Sequence, residues 1–313
     1  MNILVTGATG FIGRHLVEEL ATSSEDIIYC IVRNTKKSKL IEKFGVNLIY
    51  ADITDEKSLL KSLPEKIDVI YHCAGYVSNK NRENLHKVNV LSTKYLCQFA
   101  LINNVKRFIH VSSIAPVLGN ADILLTEDLP YNPTNPYGES KAEAEKIVID
   151  YRKKGLKVSV IRPCMVYGEG EPHALNKLLT LLKYRLFPLV DHGKNKFHLV
   201  YVKNVVDALI FSARSEKCLE GTFYIADKEI LTSKEVFSTM SQALNARNPF
   251  ELPSFLTSFL FCLPYFGSKL KKVYKDRIYS TSSLQSAGFT FRYPAKESII
   301  RTCKHFLNKT EKV

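Results

Sequence analysis

The sequence predicts an α/β protein with a doubly wound parallel sheet and a smaller lobe toward the carboxyl end. Short runs rich in Val and Ile alternate with helix-length segments from the second residue onward. These runs are apolar throughout, which is typical of parallel strands covered by helices on both faces. With 313 residues the chain can also bury a large core. The order βαβαβ at the amino end therefore favours a doubly wound fold.

The predicted elements follow one another closely over the first half of the chain. Strand candidates are 2–6, 27–33, 46–51, 68–74, 107–112 and 157–162, and helix-length segments are 11–22, 55–63, 82–103 and 138–153. The later pattern is looser, with helices at 173–186 and 203–214 and strands near 197–202 and 222–226. Thr232 lies three residues before Glu235, a capping-box spacing that begins another helix. We predict a Rossmann-type domain over 1–165, rejoined by 197–228, and a substrate-binding lobe formed mainly by 166–313.

Composition excludes several classes of protein. The chain is 45% hydrophobic and 24% charged, which is ordinary for a soluble globular protein. Its seven cysteines show no CxxC or Cys/His spacing, so we predict neither a metal site nor a disulfide framework. The first apolar run, from Asn2, is too short for a signal peptide and lacks a basic flank. We therefore expect a cytoplasmic protein.

The net charge of +13 has more than one interpretation. Basic clusters at Lys36–Lys43 and Lys269–Arg277 suit a solvated surface, an anionic ligand or an anionic membrane. No aromatic-interleaved basic motif indicates nucleic acid. Residues 250–266 are rich in Phe and Leu but too short and too broken by proline to span a bilayer. A core helix, a substrate lid and peripheral membrane contact through 250–277 all remain open.

The segment "TGATGFIG" at 6–13 joins the first strand to the first helix. Gly7, Gly10 and Gly13 suit a tight turn, close approach of backbone to a pyrophosphate, and close packing of helix on strand. The free N–H groups of the helix start then face the anion. This context predicts a dinucleotide site.

Later segments fall in the order typical of one family. They are "YADITD" with Asp52, "HCAG" at 72–75, "HKVNVLST" with Asn89, "VSS" at 111–113, "PYGESK" at 136–141, "IRPCMVYG" at 161–168 and "VYVKNVVDA" at 200–208. Together with the glycine loop they resemble the extended short-chain dehydrogenases/reductases. The resemblance is continuous to about residue 228 and weaker to about 306, where "LQSAGF" (284–289) fits.

The resemblance implies a cofactor site and a proton-transfer site. Cofactor contacts are expected at Gly7, Thr9, Gly10, Phe11, Ile12, Arg33, Asp52, Ile53, Ala74, Gly75, Tyr137, Lys141, Pro163 and Val166. Asp52 would lie against the adenine, and Lys141 would also hold the nicotinamide ribose.

The spacing Tyr-x-x-x-Lys occurs four times, so the spacing alone predicts little. Tyr137 and Lys141 differ because they begin a helix after the predicted fifth strand, on one helix face. A neighbouring ammonium lowers a phenol pKa from about 10, which makes the pair a candidate general acid/base. A serine would hydrogen-bond the substrate oxygen. We favour Ser113 for this role, with Ser112 as the alternative.

Two parts of the sequence bear on which cofactor and which substrate the protein binds. Arg33 stands at the end of the second strand, where NAD-dependent relatives carry an acidic residue, so NADP is favoured over NAD. The stretch "FHLVYV" places Phe197 and His198 where nucleotide-sugar enzymes of the family carry Arg and Asp. The chain thus most resembles the 3β-hydroxysteroid dehydrogenase and dihydroflavonol reductase branch.

The expected function is hydride transfer between NAD(P) and a secondary alcohol or ketone of an apolar small molecule. A nucleotide-sugar epimerase or dehydratase with tightly held NAD is the first alternative. A non-catalytic NAD(P) sensor is the second, although it would not need serine, tyrosine and lysine together. A homodimer is compatible with the sequence.

Overall fold

A seven-stranded parallel sheet forms the centre of the computed structural model, which describes residues 1–23, 25–33, 35–121, 123–172, 175–252 and 276–310. The strands in chain order are β1 Asn2–Thr6, β2 Ile27–Val32, β3 Asn47–Tyr50, β4 Val69–His72, β5 Arg107–Val111, β6 Leu124–Leu125, β7 Val158–Pro163, β8 Met165–Tyr167, β9 Leu199–Tyr201, β10 Thr222–Ile225 and β11 Ile278–Tyr279. The large sheet has the order β3-β2-β1-β4-β5-β7-β10, and every pairing in it is parallel. The predicted doubly wound fold is confirmed.

Helices cover both faces of this sheet. The helices of the described residues are α1 Phe11–Ser23, α2 Thr35–Glu42, α3 Glu56–Ser62, α4 Arg82–Leu85, α5 Ser92–Ile102, α6 Pro136–Lys153, α7 Leu175–Lys183, α8 Val202–Arg214, α9 Ser233–Ala243, α10 Ser282–Ser286 and α11 Ala295–Thr310. A π-helical turn, His86–Leu91, joins α4 to α5. Helix α2 is a difference from the sequence prediction, which treated its lysines only as a basic cluster. It buries Ser38 and Ile41 and leaves the lysines in solvent.

The core explains why the strands are apolar throughout. In β1, Ile3 and Val5 belong to the cluster on one face of the sheet, whereas Leu4 belongs to the cluster on the other. Helices α1 and α8 pack together on the first face, and α3, α5 and α6 form the layer that covers the second. Successive side chains of a strand point to opposite faces. A strand buried on both faces therefore needs apolar residues at every position.

A smaller layer lies beyond β7. Strands β8 and β9 pair in parallel, and a third apolar cluster joins this pair to α7, α9 and α11. Buried Asp227 organises the junction: it accepts the Tyr201 backbone N–H at 2.9 Å and the Asn204 amide at 2.8 Å. The Tyr167 hydroxyl donates to its second oxygen at 2.9 Å. Burial raises the pKa of Asp227 to about 6, although these three donors favour the ionised form.

The described part of the chain contains no helix long and apolar enough to cross a membrane. Of the segment 250–277, residues 253–275 lie outside the described residues. The three interpretations of 250–266 and the division of the chain into domains therefore stay predictions.

The capping box of α9 provides a test of local stability. The Thr232 hydroxyl accepts the Glu235 backbone N–H, and the Glu235 carboxylate accepts the Thr232 N–H. Thr232→Ala removes the first bond, so we expect the free energy of unfolding to fall by about 1 kcal/mol. Urea titration measures this change. Thr180→Ala, within α7, is the control, and an equal loss in both variants would contradict the capping role.

Candidate active site

The loop after β1 is folded as a phosphate-binding turn. Gly7 has φ of +65°, and its carbonyl accepts the Gly10 N–H at 2.8 Å. A Cβ on Gly7 would lie 2.6 Å from the Ala74 nitrogen, and one on Gly13 would lie 2.2 Å from the Gly7 oxygen. Glycine is therefore required at both positions. The turn brings the loops after β1 and β4 into contact, with the start of α1 pointing toward the space in front of them.

A cleft of about 480 Å³ opens in front of this turn. Its lining includes seven of the residues expected to contact the cofactor: Gly7, Thr9, Gly10, Arg33, Ile53, Ala74 and Gly75. It also includes Ile31, Val32, Lys37 and Val88, which the sequence analysis did not assign to the site. Ile31 and Val32 could have been predicted, because they end β2 at the same edge of the sheet as the glycine turn. The narrow turn and adjoining cleft fit a dinucleotide.

The remaining expected cofactor residues lie around this cleft rather than in its lining. Phe11, Ile12 and Val166 pack against the apolar cluster of the smaller layer. Pro163 ends β7, and its carbonyl accepts the Ile114 N–H at 3.1 Å. Asp52 pairs with Arg33 across 3.9 Å at the rim.

Asp52 and Arg33 form an ion pair at the rim of the dinucleotide cleft. Partial burial opposes ionisation of Asp52, but the N–H and hydroxyl of Thr54 and the nearby guanidinium outweigh it, so the pKa is lowered. Both side chains remain substantially exposed, at 66% for Arg33 and 45% for Asp52. The guanidinium is thus accessible to an anion.

A chain of hydrogen bonds runs behind the glycine turn. The Ala74 N–H donates to the Thr6 hydroxyl at 3.2 Å, and that hydroxyl donates to His72 Nδ1 at 2.7 Å. His72 Nε2 donates to Thr93, whose hydroxyl donates to the Asn89 carbonyl at 2.7 Å. Burial, with the positive charge of Lys141, lowers the pKa of His72 to about 3. His72 is therefore neutral and joins β1, β4 and α5.

Asn89 lies in the π-helical turn and braces the other side of the site. Its side-chain oxygen accepts the Tyr76 N–H at 2.7 Å, and its amide donates to the Tyr76 carbonyl and to Ser140, at 3.0 and 2.9 Å. The sequence predicted one uninterrupted helix over 82–103. The π-turn interrupts it where Asn89 projects toward α6, as is frequent at functional sites.

The structure brings Tyr137, Ser113 and Lys141 together. Helix α6 begins at Pro136, and the Asn135 side chain caps it by accepting the Gly138 N–H at 2.8 Å. The Ser113 side chain interacts with the Tyr137 phenol and favours its ionised form. One turn on, Lys141 is 3% exposed.

The Lys141 ammonium lies where the two halves of the site meet. It donates to the Val111 carbonyl at 2.9 Å, and a Cβ on Gly75 would lie 3.5 Å from it. The ammonium is therefore held at the end of β5 and borders the dinucleotide cleft.

The electrostatics differ from the sequence prediction in one respect. Burial lowers the pKa of Lys141 to about 8, although Glu145 opposes this change. Burial also raises the pKa of Tyr137, and the Ser113 hydrogen bond only partly offsets the rise. The expected lowering of the Tyr137 pKa by Lys141 is therefore wrong for the protein without ligands. The physical reason is that desolvation of the phenol dominates while the ammonium is bonded to the Val111 carbonyl.

The two serines occupy different environments. Ser112 is buried and donates to Glu145, away from Tyr137. Ser113 is the serine at the phenol. The geometry therefore favours Ser113 as the serine that contacts substrate and gives Ser112 a supporting position.

Glu145 and Arg162 form a buried ion pair that the sequence analysis missed. Arg162 Nη2 lies 2.6 Å from Glu145, and the two side chains are 4% and 1% exposed. The Tyr131 hydroxyl also donates to Glu145, at 3.0 Å. Glu145 stands four residues after Lys141, a spacing that could have indicated a second inward-facing charge.

A second cavity, of about 260 Å³, is lined in part by the chain segments next to Ser113 and Tyr137. Most of its lining is apolar, from Ile114, Leu118, Met165, Phe197, Leu199 and Tyr279. Ile114 directly follows Ser113, and Thr134 on the same wall precedes Tyr137 by three residues. We call this space the apolar cavity. Residues next to Ser113 and close to Tyr137 in the chain thus line the apolar cavity, whereas Lys141 borders the dinucleotide cleft.

This fold and site define a dinucleotide-dependent enzyme of the doubly wound class. A sequence model of the NAD dependent epimerase/dehydratase family matches residues 3–225, and the chain belongs to that family. It is 32% identical to UDP-glucose 4-epimerase of Vibrio cholerae over 256 residues, 78% of this chain and 76% of that protein. It is 26% identical to sterol-4-alpha-carboxylate 3-dehydrogenase, decarboxylating, of Dictyostelium discoideum over 76% of this chain and 74% of that protein.

Solved structures agree with the fold. UDP-glucuronic acid 4-epimerase from Bacillus cereus, in complex with NAD, superposes with a TM-score of 0.80 at 21% identity and 99% coverage of both chains. UDP-glucose 4-epimerase from Thermotoga maritima superposes with a TM-score of 0.81 at 22% identity, covering 99% of this chain and 100% of that one. The two relatives named above are a sugar epimerase and a sterol dehydrogenase, and membership of the family implies an NAD(P) cofactor.

The buried ion pair leads to a stability prediction. Arg162→Met leaves the Glu145 carboxylate buried without its cation, so we expect the free energy of unfolding to fall by about 3–5 kcal/mol. Adding Glu145→Met should recover part of this loss because the stranded charge is removed as well. Urea unfolding of both single variants and the double variant measures the coupling. Strictly additive losses would contradict it.

Proposed function

We propose that the protein is an NAD(P)-dependent oxidoreductase that interconverts a secondary alcohol and a ketone on an apolar small molecule. One observation carries the proposal: the Ser113 side chain acts on the Tyr137 phenol, Lys141 borders the dinucleotide cleft, and the segments next to Ser113 and Tyr137 line the apolar cavity. A carbonyl in the apolar cavity would have the phenol and the serine hydroxyl beside its oxygen. The cleft would place a nicotinamide beside its carbon.

The protein's own residues move the proton. When bound, NAD(P) supplies or accepts the hydride. In the direction of reduction, the Tyr137 hydroxyl gives its proton to the carbonyl oxygen as the carbon gains the hydride, so the product is a neutral alcohol. The Ser113 hydroxyl donates a hydrogen bond to that oxygen as negative charge develops on it. The reverse direction returns the proton to the Tyr137 oxygen.

Lys141 lies on the cofactor side of the proposed site. Its buried ammonium faces Gly75 in the lining of the cleft, and there it would hold a ribose hydroxyl of the cofactor. Burial keeps the Tyr137 phenol protonated, as its role of proton donor in the direction of reduction requires. Glu145 opposes the loss of the Lys141 proton, because its negative charge raises the pKa that burial lowers.

NADP is the proposed cofactor, with NAD as the alternative. Arg33 and Lys37 both line the cleft, and the Arg33 side chain is largely exposed. An arginine fork suits the 2′-phosphate of NADP. Arg33 pairs with Asp52 across 3.9 Å, and this pairing leaves most of the guanidinium open to solvent.

The apolar lining supports an apolar substrate. Phe197 stands where nucleotide-sugar enzymes of the family are expected to carry an arginine, and its ring packs at 5.7 Å from that of Phe237. Among the relatives, sterol demethylase protein B of Methylococcus capsulatus is 27% identical over 80% of this chain and 76% of that protein. Steroid-like or polyketide-like alcohols and ketones are the proposed class.

The second candidate function is nucleotide-sugar epimerisation, supported by the 32% identity to the Vibrio cholerae epimerase. Such an enzyme would reduce and reoxidise one tightly held NAD within each cycle. Purified protein that carries NAD and turns over UDP-sugars without added cofactor would favour this candidate over the first.

The role of Tyr137 can be tested by removing one oxygen. In Tyr137→Phe we expect the dissociation constant for NADPH to stay within about twofold and turnover to fall at least about a hundredfold, since general acid/base catalysis is worth 10²–10⁴. Steroid, flavonoid-like and UDP-sugar substrates are screened by the absorbance of NADPH and NADH. Tyr151→Phe, on the same helix, is the control. Turnover at the wild-type rate in Tyr137→Phe would refute the assignment.

Cofactor preference depends on Arg33. We expect wild-type protein to bind NADPH more tightly than NADH, and Arg33→Ala to weaken NADPH about tenfold or more while NADH changes little, because a charge-assisted bond to phosphate is lost. Equilibrium titration of both cofactors measures this. Lys39→Ala, exposed on α2, is the control. Tighter NADH binding by the wild type would overturn the preference.

A further inference from the structure

Glu145 is a buried carboxylate on α6 that lies away from both spaces in which ligands would bind. Its side chain is fully buried, and in the described part of the chain it lines neither the dinucleotide cleft nor the apolar cavity. Burying a carboxylate is costly unless hydrogen bonds and a cation compensate for it. The contacts that compensate for it therefore indicate its role.

Three side chains donate to the Glu145 carboxylate. The Ser112 hydroxyl donates to Oε1, and the Tyr131 hydroxyl donates to Oε2 at 3.0 Å. Arg162 donates through Nε to Oε1 at 3.1 Å and through Nη2 to Oε2 at 2.6 Å, which is the bidentate geometry that arginine favours. Each carboxylate oxygen thus has at least two donors, so the carboxylate has a well-defined position.

Arg162 is itself held in place by the central sheet. It lies on β7, which pairs with β5 on one side and β10 on the other. Its guanidinium carbon lies 5.6 Å from the centre of the Tyr131 ring and 5.5 Å from that of Tyr224. The Nη1 atom donates to the Tyr224 hydroxyl at 3.4 Å. The Glu145 carboxylate is therefore anchored to the sheet as well as to α6.

Ser112 connects this anchor to Ser113. The ladder between β5 and β7 continues past β5, because the Ser112 and Ile114 N–H groups donate to β7 carbonyls at 2.8 and 3.1 Å. Successive side chains of such an extended segment point to opposite sides. The Ser112 hydroxyl donates to Glu145, and the Ser113 side chain acts on the Tyr137 phenol. Holding Ser112 on Glu145 therefore directs Ser113 to the phenol.

Glu145 also acts on Lys141, which lies one turn earlier on α6. Burial lowers the pKa of Lys141 to about 8, and the negative charge of Glu145 opposes that change. Cys73, His72 and His110 also interact electrostatically with Lys141. Burial raises the pKa of Cys73 to about 12 and lowers the pKa values of both histidines, so all three are neutral near pH 7. Among these groups, the negative charge that acts on Lys141 is therefore that of Glu145.

We propose that Glu145 is a positioning residue for proton transfer. Through Ser112 it directs Ser113 to the Tyr137 phenol, and through its charge it keeps Lys141 an ammonium beside the dinucleotide cleft. This inference rests on the function proposed above and adds a residue to its site. Glu145 acts only through other side chains and contacts neither the substrate nor the cofactor.

Two variants that each remove one donor to Glu145 test the serine role. In Ser112→Ala we expect kcat to fall about tenfold and KM to stay within about twofold, because a misplaced Ser113 stabilises the transition state less well. In Tyr131→Phe, where Ser112 keeps its bond, we expect kcat to stay within about twofold. Urea unfolding is measured for both, since a purely structural role would lower stability and leave kcat at the wild-type value.

A second readout of the serine role needs neither substrate nor cofactor. Carbon-13 NMR of the tyrosine Cζ atoms reports the surroundings of the phenol, and the Tyr137 signal is identified by its loss in Tyr137→Phe. Ser113→Ala gives the change in this signal when the serine hydroxyl is removed. Ser112→Ala should move the signal in the same direction, whereas Tyr131→Phe should leave it in place.

Glu145→Gln tests the charge, because its amide oxygen still accepts from Ser112. NADPH dissociation constants are measured between about pH 6 and pH 10, on both sides of the Lys141 pKa of about 8. In the wild type we expect binding to weaken as pH rises through that value, where the ammonium loses its proton. Glu145→Gln lowers the Lys141 pKa further, so weakening should begin about one pH unit lower. Lys141→Met should abolish the transition, and Glu143→Gln, exposed on the same helix, should leave it unchanged.

A double variant guards against loss of the fold, because Glu145→Gln leaves Arg162 buried without its anion. Glu145→Gln combined with Arg162→Met removes both charges. We expect the pH transition to shift in the same direction, since the negative charge one turn from Lys141 is again missing. NADPH binding near pH 6 shows that either variant is folded.

An unmoved Tyr137 signal or a wild-type kcat in Ser112→Ala would overturn the serine role. An unchanged pH transition in Glu145→Gln and in the double variant would overturn the charge role. Wild-type protein that binds neither NADPH nor NADH, or turns over no substrate in the screen, counts instead against the proposed function. The NMR comparison still tests Glu145 in that case, so the two failures are distinguishable.

Discussion

The contact between the loops after β1 and β4 is the constraint on which the site depends. Gly7 approaches the Ala74 backbone so closely that any side chain there would collide with it. The contact lies where the chain leaves β1 in one direction and β4 in the other, which is where doubly wound sheets form their binding crevice. Thr6, His72 and Thr93 reinforce it from behind with buried hydrogen bonds. The cleft, the Gly75 contact with Lys141 and the position of α6 all follow from this approach.

Three buried charged side chains lie on or beside α6. Lys141 and Glu145 lie one turn apart, and Arg162 on β7 completes a buried set with two positive groups and one negative group. The excess positive charge faces the dinucleotide cleft. A buried cation is costly unless an anion or oriented dipoles compensate for it. The Val111 carbonyl provides one such dipole, and bound ligand oxygens would provide others.

Several parts of this arrangement could be predicted from sequence because they depend on local pattern. Apolar runs indicated six of the seven strands from β1 to β7, all except the two-residue β6, and the spacing from Thr232 to Glu235 indicated the start of α9. The glycine loop and "PYGESK" indicated the cleft and the reactive pair by their place in the order of elements. Helix α2 was missed, since its lysines conceal a narrow buried face formed by Ser38 and Ile41.

The sequence by itself determined the fold and the family, and it singled out Tyr137 and Lys141 as the predicted reactive pair, because these depend on residue order and on periodic burial. Tertiary structure decided which serine faces the phenol, since Ser112 and Ser113 are adjacent in sequence and point to different partners. It also decided that desolvation outweighs Lys141 at Tyr137, and that Arg162 pairs with Glu145. Each of these depends on distances between segments far apart in the chain, and spacing along the sequence does not measure such distances.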